Sequence, residues 1–184
     1  MTTVETAIEW FRSGRKEDFG ILYDALIKRI YDFAFYRTFD VQSAEEIASD
    51  TFFKAMKSFH TFGGSSESEL ASWLFRIAYN TIVDRSRSQK YEDTIDDHVE
   101  VLANDTDHAK TIDDKERLHK VLAYIDTLPV KHKDIVLMAV WDDLKYAEIS
   151  EISGESLSNV KKIVSRSLAK IAANVALFLL FFLF

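Results

Sequence analysis

The sequence predicts an all-α chain of two small helical domains joined by an acidic linker. Three observations carry this. One proline, Pro129, and five glycines in 184 residues, with few alternating β-branched runs, leave little to break a helix or mark a strand. Apolar residues recur at helical spacing over residues 18–87 and again over 118–171. The charge is also uneven: residues 1–90 hold 12 Lys+Arg and 13 Asp+Glu, residues 118–184 hold 8 and 7, and residues 91–117 hold 3 and 10. The net charge of −7 therefore lies in the middle, and each flanking part can present a local basic face.

The length suits one or two domains, and 47% hydrophobic with 29% charged residues is ordinary for a folded soluble protein. With no cysteine there is no disulfide framework and no thiolate zinc site, which fits a reducing cytosol. Met1–Arg12 lacks a basic start followed by an apolar run, so no secretory signal is expected.

Asp18–Thr38 carries Phe19, Leu22, Tyr23, Leu26, Ile30, Phe33 and Ala34 at helical spacing and reads as a long bundle helix. The next helix starts in Asp40–Glu46, where Ser43 and Glu46 have capping-box spacing, and runs to about Phe59. Its expected buried stripe is Ala44, Ile47, Ala48, Thr51, Phe52, Ala55, Met56 and Phe59, with Glu45, Glu46, Ser49, Asp50 and Lys54 outside it. Carboxylates in a first turn suit the helix dipole, which accounts for Glu45 and Glu46 but less readily for Asp50. Thr61–Glu69, with Gly63-Gly64 and three serines, is a loop.

Trp73–Arg87 has two faces. Trp73, Leu74, Ile77, Ala78, Thr81 and Ile82 form an apolar stripe, while Arg76, Asn80, Asp84, Arg85 and Arg87 fall mainly off it. A planar guanidinium or an amide there can meet phosphate or a base edge. Residues 91–117, with ten carboxylates and few large apolar side chains, form the acidic linker.

Leu118–Leu128 is a helix stopped by Pro129, and Lys131–Trp141 is a second core helix. Tyr146–Ile152, the turn Ser153-Gly154-Glu155 and a helix from Ser156 to Lys170 then read as a helix-turn-helix. Val160, Val164 and Leu168 are expected to anchor its second helix. Lys162, Arg166 and Lys170 step by four along another face and can track phosphates, and Ser158 and Asn159 near its start are candidates for base edges. From Val175 onward ten apolar residues run unbroken. As a helix the last fourteen positions span about 21 Å, short of a bilayer core.

No catalytic constellation is evident. His60, His98, His108, His119 and His132 lack close ligand spacing, and no phosphate-cradling glycine loop or nucleophile elbow is present. Neither a cofactor nor a metal is expected.

The motifs resemble those of the sigma-70 family of bacterial RNA polymerase sigma factors, in its extracytoplasmic-function (ECF) group. Phe19–Tyr23 with Ile30–Ala34 looks like the first helix of sigma region 2. Asp40-x-x-x-Ala44-Glu45-Glu46-Ile47-x-x-Asp50-x-Phe52-x-Lys54-Ala55 is similar to the family's polymerase-docking helix, with Ser49 where the family usually has Gln. Leu128-Pro129 and the helix-turn-helix resemble sigma region 4. The resemblance implies residues 1–90 as region 2, 91–117 as a linker threading the polymerase, 118–171 as region 4 and 172–184 as an apolar tail that the family does not predict.

It also implies core polymerase and promoter DNA as partners, with an anti-sigma factor as a further candidate. Glu45, Glu46, Ser49, Asp50 and Lys54 would dock on polymerase. Phe62, Gly63, Ser65, Arg76, Asn80, Asp84, Arg85 and Arg87 would engage the minus-ten element. Ser156, Ser158, Asn159, Lys161, Lys162, Arg166 and Lys170 would hold the minus-thirty-five element. Lys145, Ser150 and Glu155 depart from the family pattern, and a buried carboxylate at Glu155 would be costly unless paired or turned outward. Two other readings remain open at this level: a stand-alone helix-turn-helix regulator, and a membrane-associated interaction protein acting through residues 172–184.

Overall fold

The computed structural model describes residues 3–92, 125, 127–142 and 144–181, and of 87–92 and 174–181 the backbone alone. The chain divides into two compact units, Met1–Glu100 and Val101–Phe184. Among the described residues every regular element is a helix.

The first unit comprises α1 (Val4–Arg12), α2 (Phe19–Thr38), α3 (Val41–Ser58) and α4 (Glu67–Glu92), with single 3-10 turns at Lys16–Asp18 and Phe59–Thr61. Helices α2, α3 and α4 pack against one another, and α1 lies on α2. Helix α1 is an addition to the expected elements. Thr3 caps it by accepting from the Thr6 amide at 3.3 Å, and its Ala7 and Ile8 are wholly buried.

Helix α2 buries Leu22, Leu26, Ile30, Phe33 and Ala34 as expected, together with Tyr36, whereas Phe19 is half-buried and Tyr23, expected in the stripe, is 39% exposed. It ends at Phe39, whose φ of 51° is left-handed; the Phe39 amide donates to the Phe35 carbonyl at 2.7 Å.

Helix α3 corrects the expected cap. Its N-cap is Asp40, whose Oδ1 accepts from the Ser43 amide at 2.6 Å and whose carboxyl is thereby held below its ordinary range. Aspartate and serine cap about equally well, and the earlier start leaves the Glu46 carboxylate to other partners. Met56, expected inside, is 45% exposed, because it stands about 100° around the helix from Ala55. Phe53 beside it is exposed as well.

Helix α4 begins with a reciprocal capping box: Ser66 Oγ accepts from the Glu69 amide at 3.3 Å, and Glu69 Oε2 accepts from the Ser66 amide at 3.1 Å. Trp73, Leu74, Ala78 and Thr81 are buried as expected, with Ile77 and Ile82 half-buried. Phe75, outside the expected stripe, is also buried; its ring lies 5.0 Å from that of Phe33, across α2. The helix runs through Tyr91 and Glu92, so the first two residues assigned to the linker are helical, while 93–117 lie outside the described residues.

The second unit contains α5 (Val130–Val140), α6 (Tyr146–Ser153) and α7 (Leu157–Phe181), each packed on the other two. Of the expected helix over 118–128, residues 118–124 and 126 lie outside the described residues, while Ile125 is helical and buried. Pro129 precedes α5, and its carbonyl accepts from His132 and Lys133. Ile135, Val136, Leu137 and Met138 are wholly buried.

Helix α7 anchors through Val160, Ile163, Val164 and Ser167, whereas Leu168 is 41% exposed. A strict four-residue step drifts about 40° per step, which carries Leu168 off the face that Val160 and Val164 share. The reading segment and the start of the apolar tail form one continuous helix; residues 182–184 lie outside the described residues. Among the described residues no helix is long and apolar enough to cross a membrane.

Candidate functional site

On α3, Glu45 and Ser49 are exposed, while Glu46, Asp50 and Lys54 are tied to α4. Arg85 spans both carboxylates, donating from Nη1 to Glu46 Oε2 at 2.8 Å and from Nη2 to Asp50 Oδ2 at 2.9 Å. The guanidinium, joined by a hydrogen bond from Gln42, holds the Glu46 carboxyl below its usual range, and the same pairing raises Arg85. Lys54 Nζ donates to Thr81 Oγ1 at 2.9 Å. One arginine from the expected DNA set thus sits on two carboxylates from the expected docking set. Sequence spacing could not show this, since 39 and 35 residues separate the partners.

Arg76, Asn80 and Asp84 step along the exposed side of α4, with Arg85 half-buried at its margin. The Arg87 side chain lies outside the described residues.

The loop before α4 is fastened at several points. Phe62, expected to face DNA, is instead 6% exposed, with its ring 5.4 Å from that of Phe59 and 5.2 Å from that of Trp73. An aromatic ring this well surrounded gains more from burial than from solvent, so Phe62 anchors the loop and offers no open face to a base. Gly63 and Ser65 are exposed beside it. Arg12 of α1 donates from Nη2 to the Phe62 carbonyl at 3.2 Å and to the Gly64 carbonyl at 2.7 Å. A Cβ on Gly64 would fall 2.8 Å from the Phe62 ring and from the Glu69 Cβ, which excludes a side chain there without displacement. Glu69 closes the loop from below, accepting from the amides of Ser65 and Ser66, which hold its carboxyl below the usual range. Arg12, Gly64 and Glu69 were not among the expected site residues. The Ser66 and Glu69 spacing could have revealed the cap, but no local pattern points to Arg12.

In the second unit, Gly154 takes a left-handed φ of 69° and ends α6. Ser156 caps α7, its Oγ accepting from the Asn159 amide at 3.2 Å. Ser156, Ser158, Lys161, Lys162, Arg166 and Lys170 are all exposed, and Asn159 is half-buried.

The three departures from the family pattern are accommodated. Lys145 cannot accept as a cap, but its amide donates to Glu148 Oε2 at 2.7 Å. Ser150 Oγ donates to the Glu155 carbonyl at 2.6 Å. The Glu155 carboxylate ion-pairs with Lys131 and accepts from Asn159 Nδ2 at 2.7 Å, contacts that keep it ionised below the usual range. Among the described residues no group of three or more His, Cys, Asp or Glu could hold a metal.

Residues 22–91 match the sequence model described as Sigma-70 region 2, and residues 118–171 match that described as Sigma-70, region 4. RNA polymerase sigma factor SigV of Bacillus subtilis (strain 168) is 33% identical over 140 residues, 75% of this chain and 79% of the relative. ECF RNA polymerase sigma factor SigM of the same organism is 27% identical over 155 residues, 83% of this chain and 91% of the relative. Among solved structures, the sigma factor RpoE of Bartonella quintana, in complex with the anti-sigma factor NepR, has a similar fold. Its TM-score is 0.70 at 20% identity, covering 87% of this chain and 98% of that one. With both regions present in order on an all-helical scaffold, the chain belongs to the sigma-70 family of bacterial RNA polymerase sigma factors, in its extracytoplasmic-function group.

Proposed function

We propose that this sigma factor, which directs RNA polymerase to promoters and aids DNA melting in transcription initiation, divides the work among three surfaces. Glu45, Glu46, Ser49, Asp50 and Lys54 on α3 dock on core polymerase. The loop around Gly63 and Ser65, anchored by Phe62, works with Arg76, Asn80, Asp84, Arg85 and Arg87 on the minus-ten element. Extrusion of a base there is physically reasonable, since new hydrogen bonds and stacking can offset a few kcal/mol of unstacking. Ser156, Ser158, Asn159, Lys161, Lys162, Arg166 and Lys170 hold the minus-thirty-five element in the manner of a reading helix. As units of function the chain divides at 1–90, 91–117, 118–171 and 172–184, although α4 runs on through Glu92 and α7 through Phe181.

The observation that carries this reading is the shared Arg85. In the free protein its guanidinium is occupied by Glu46 and Asp50. Contact between polymerase and those carboxylates releases it toward DNA, which couples docking to promoter binding. Pairs this exposed are weak in water, so exchange is easy. The protein performs no bond chemistry, works in the cytoplasm and is held in check by an anti-sigma factor. The RpoE structure, solved with NepR, supports that last partner.

Run-off transcription from core enzyme plus this protein is the decisive test, with initiation at a defined promoter expected only when both are present. Tight sequence-specific DNA binding by the isolated chain would count against the proposal.

A further inference from the structure

Glu155 occupies the turn of the helix-turn-helix, after Gly154 and before the cap Ser156. Its side chain is one-quarter exposed, and its carboxylate has two partners of different kinds, Lys131 at the start of α5 and Asn159 in the first turn of α7. An ionised carboxylate only accepts hydrogen bonds, so the Asn159 amide must turn its nitrogen, and not its oxygen, toward Glu155. Rotation of that amide by 180° would set Oδ1 against the carboxylate oxygen now 2.7 Å from Nδ2. Of the two amide orientations, one is therefore excluded. Lys131 offsets the carboxylate charge, so the turn does not repel the phosphate backbone.

We infer that Glu155 is a specificity-determining residue for duplex DNA, fixing the order in which Asn159 shows its hydrogen-bond acceptor and donor to a base. One amide hydrogen is committed to Glu155; with that hydrogen the one turned away from Oδ1, the other and Oδ1 form a single donor–acceptor edge. That edge is complementary to the N7 acceptor and N6 donor of adenine. With the order fixed, the match holds for adenine on one strand only. Asn159 stands on the same side of α7 as Lys162 and Arg166, at i, i+3 and i+7, so phosphate contacts from those cations set its depth in the groove. The inference rests on the placement of Asn159 at the minus-thirty-five element, and Glu155 acts through it as a positioning residue.

The test is selection from a promoter library randomised across the minus-thirty-five element, using holoenzyme assembled from core polymerase and the full chain. The wild type is expected to favour adenine at one position by about tenfold, in the range of one bidentate contact. N159A loses that preference and keeps the others. E155Q, whose amide accepts either orientation of Asn159, and E155L, which removes the hydrogen-bonding group, should each flatten the same position to less than about threefold while total capture stays within a factor of two. Thermal melting of both variants establishes that the unit is folded, and E155L stands if E155Q unfolds. Retention of the full preference by a folded Glu155 variant, with N159A losing it, overturns the role of Glu155 alone. A selection in which N159A matches the wild type overturns the placement of Asn159 and this inference with it.

Discussion

Replacing Arg12 with methionine keeps an unbranched stem and removes the two hydrogen bonds to the loop carbonyls, along with the guanidinium that lies 5.9 Å from the centre of the Phe62 ring. Those bonds are 3.2 and 2.7 Å long, the first part-buried and the second exposed. A charged donor to a carbonyl contributes about 1.5 kcal/mol or more when sheltered and less when water competes, so the pair is worth about 1.5 kcal/mol in total. That is roughly a tenfold drop in the equilibrium constant between the anchored and the released loop. Global stability should change little, because Ala7 and Ile8 still hold α1 in place. Hydrogen exchange reads the effect directly at the amides of Ser65 and Ser66, which depend on the loop geometry to reach Glu69. Their exchange should quicken several-fold in R12M, core binding should match the wild type, and run-off transcription from a duplex promoter should fall. Wild-type exchange at both serines, together with undiminished transcription, would refute the idea that α1 positions this loop.

Other consequences are open to measurement. G64A forces a methyl group to 2.8 Å from the Phe62 ring, and overpacking of this kind costs about 1–3 kcal/mol, so the first unit should melt earlier and initiate poorly. F75A empties a fully buried site beside Phe33 and should cost about 3–5 kcal/mol by denaturant unfolding followed with a probe in the first unit. The Glu46 carboxyl is depressed by Arg85, so its contribution to stability is present above the ordinary glutamate range and disappears as pH falls through the lowered folded value. An NMR titration of that carboxyl should move upward in R85M; an unmoved midpoint would mean that the ion pair is absent in solution.

Much of the fold is legible in the sequence because it is governed by local periodicity. Most of the buried stripes of α2 and α4 follow from spacing, and Gly154 marks the end of α6 because its left-handed backbone suits glycine. What spacing misses is decided by packing or by competition between equivalent groups. Asp40 and Ser43 are both good caps, and the choice between them depends on the turn from α2. Phe75 lies off the main stripe but meets Phe33 because α4 is covered from more than one side. The site is less legible than the fold. Arg85, Glu46 and Asp50 are named correctly as polar surface, yet their union requires α3 and α4 to lie side by side. Glu155 reads as a liability in the sequence, and only Lys131 and Asn159, brought to it by α5 and α7, make its charge tolerable.

The span that matches region 2, residues 22–91, is narrower than the body that folds around it. Phe11 lies 4.7 Å from Phe59 and 5.1 Å from Phe19 between ring centres, upstream of that span. Anyone trimming the chain to its recognisable motif would therefore strip aromatic cover from Phe59 and leave its neighbour Phe62 without its guanidinium brace. A fragment cut at residue 22 would keep α3, the loop after it and α4 intact and lose the buttress that shapes them.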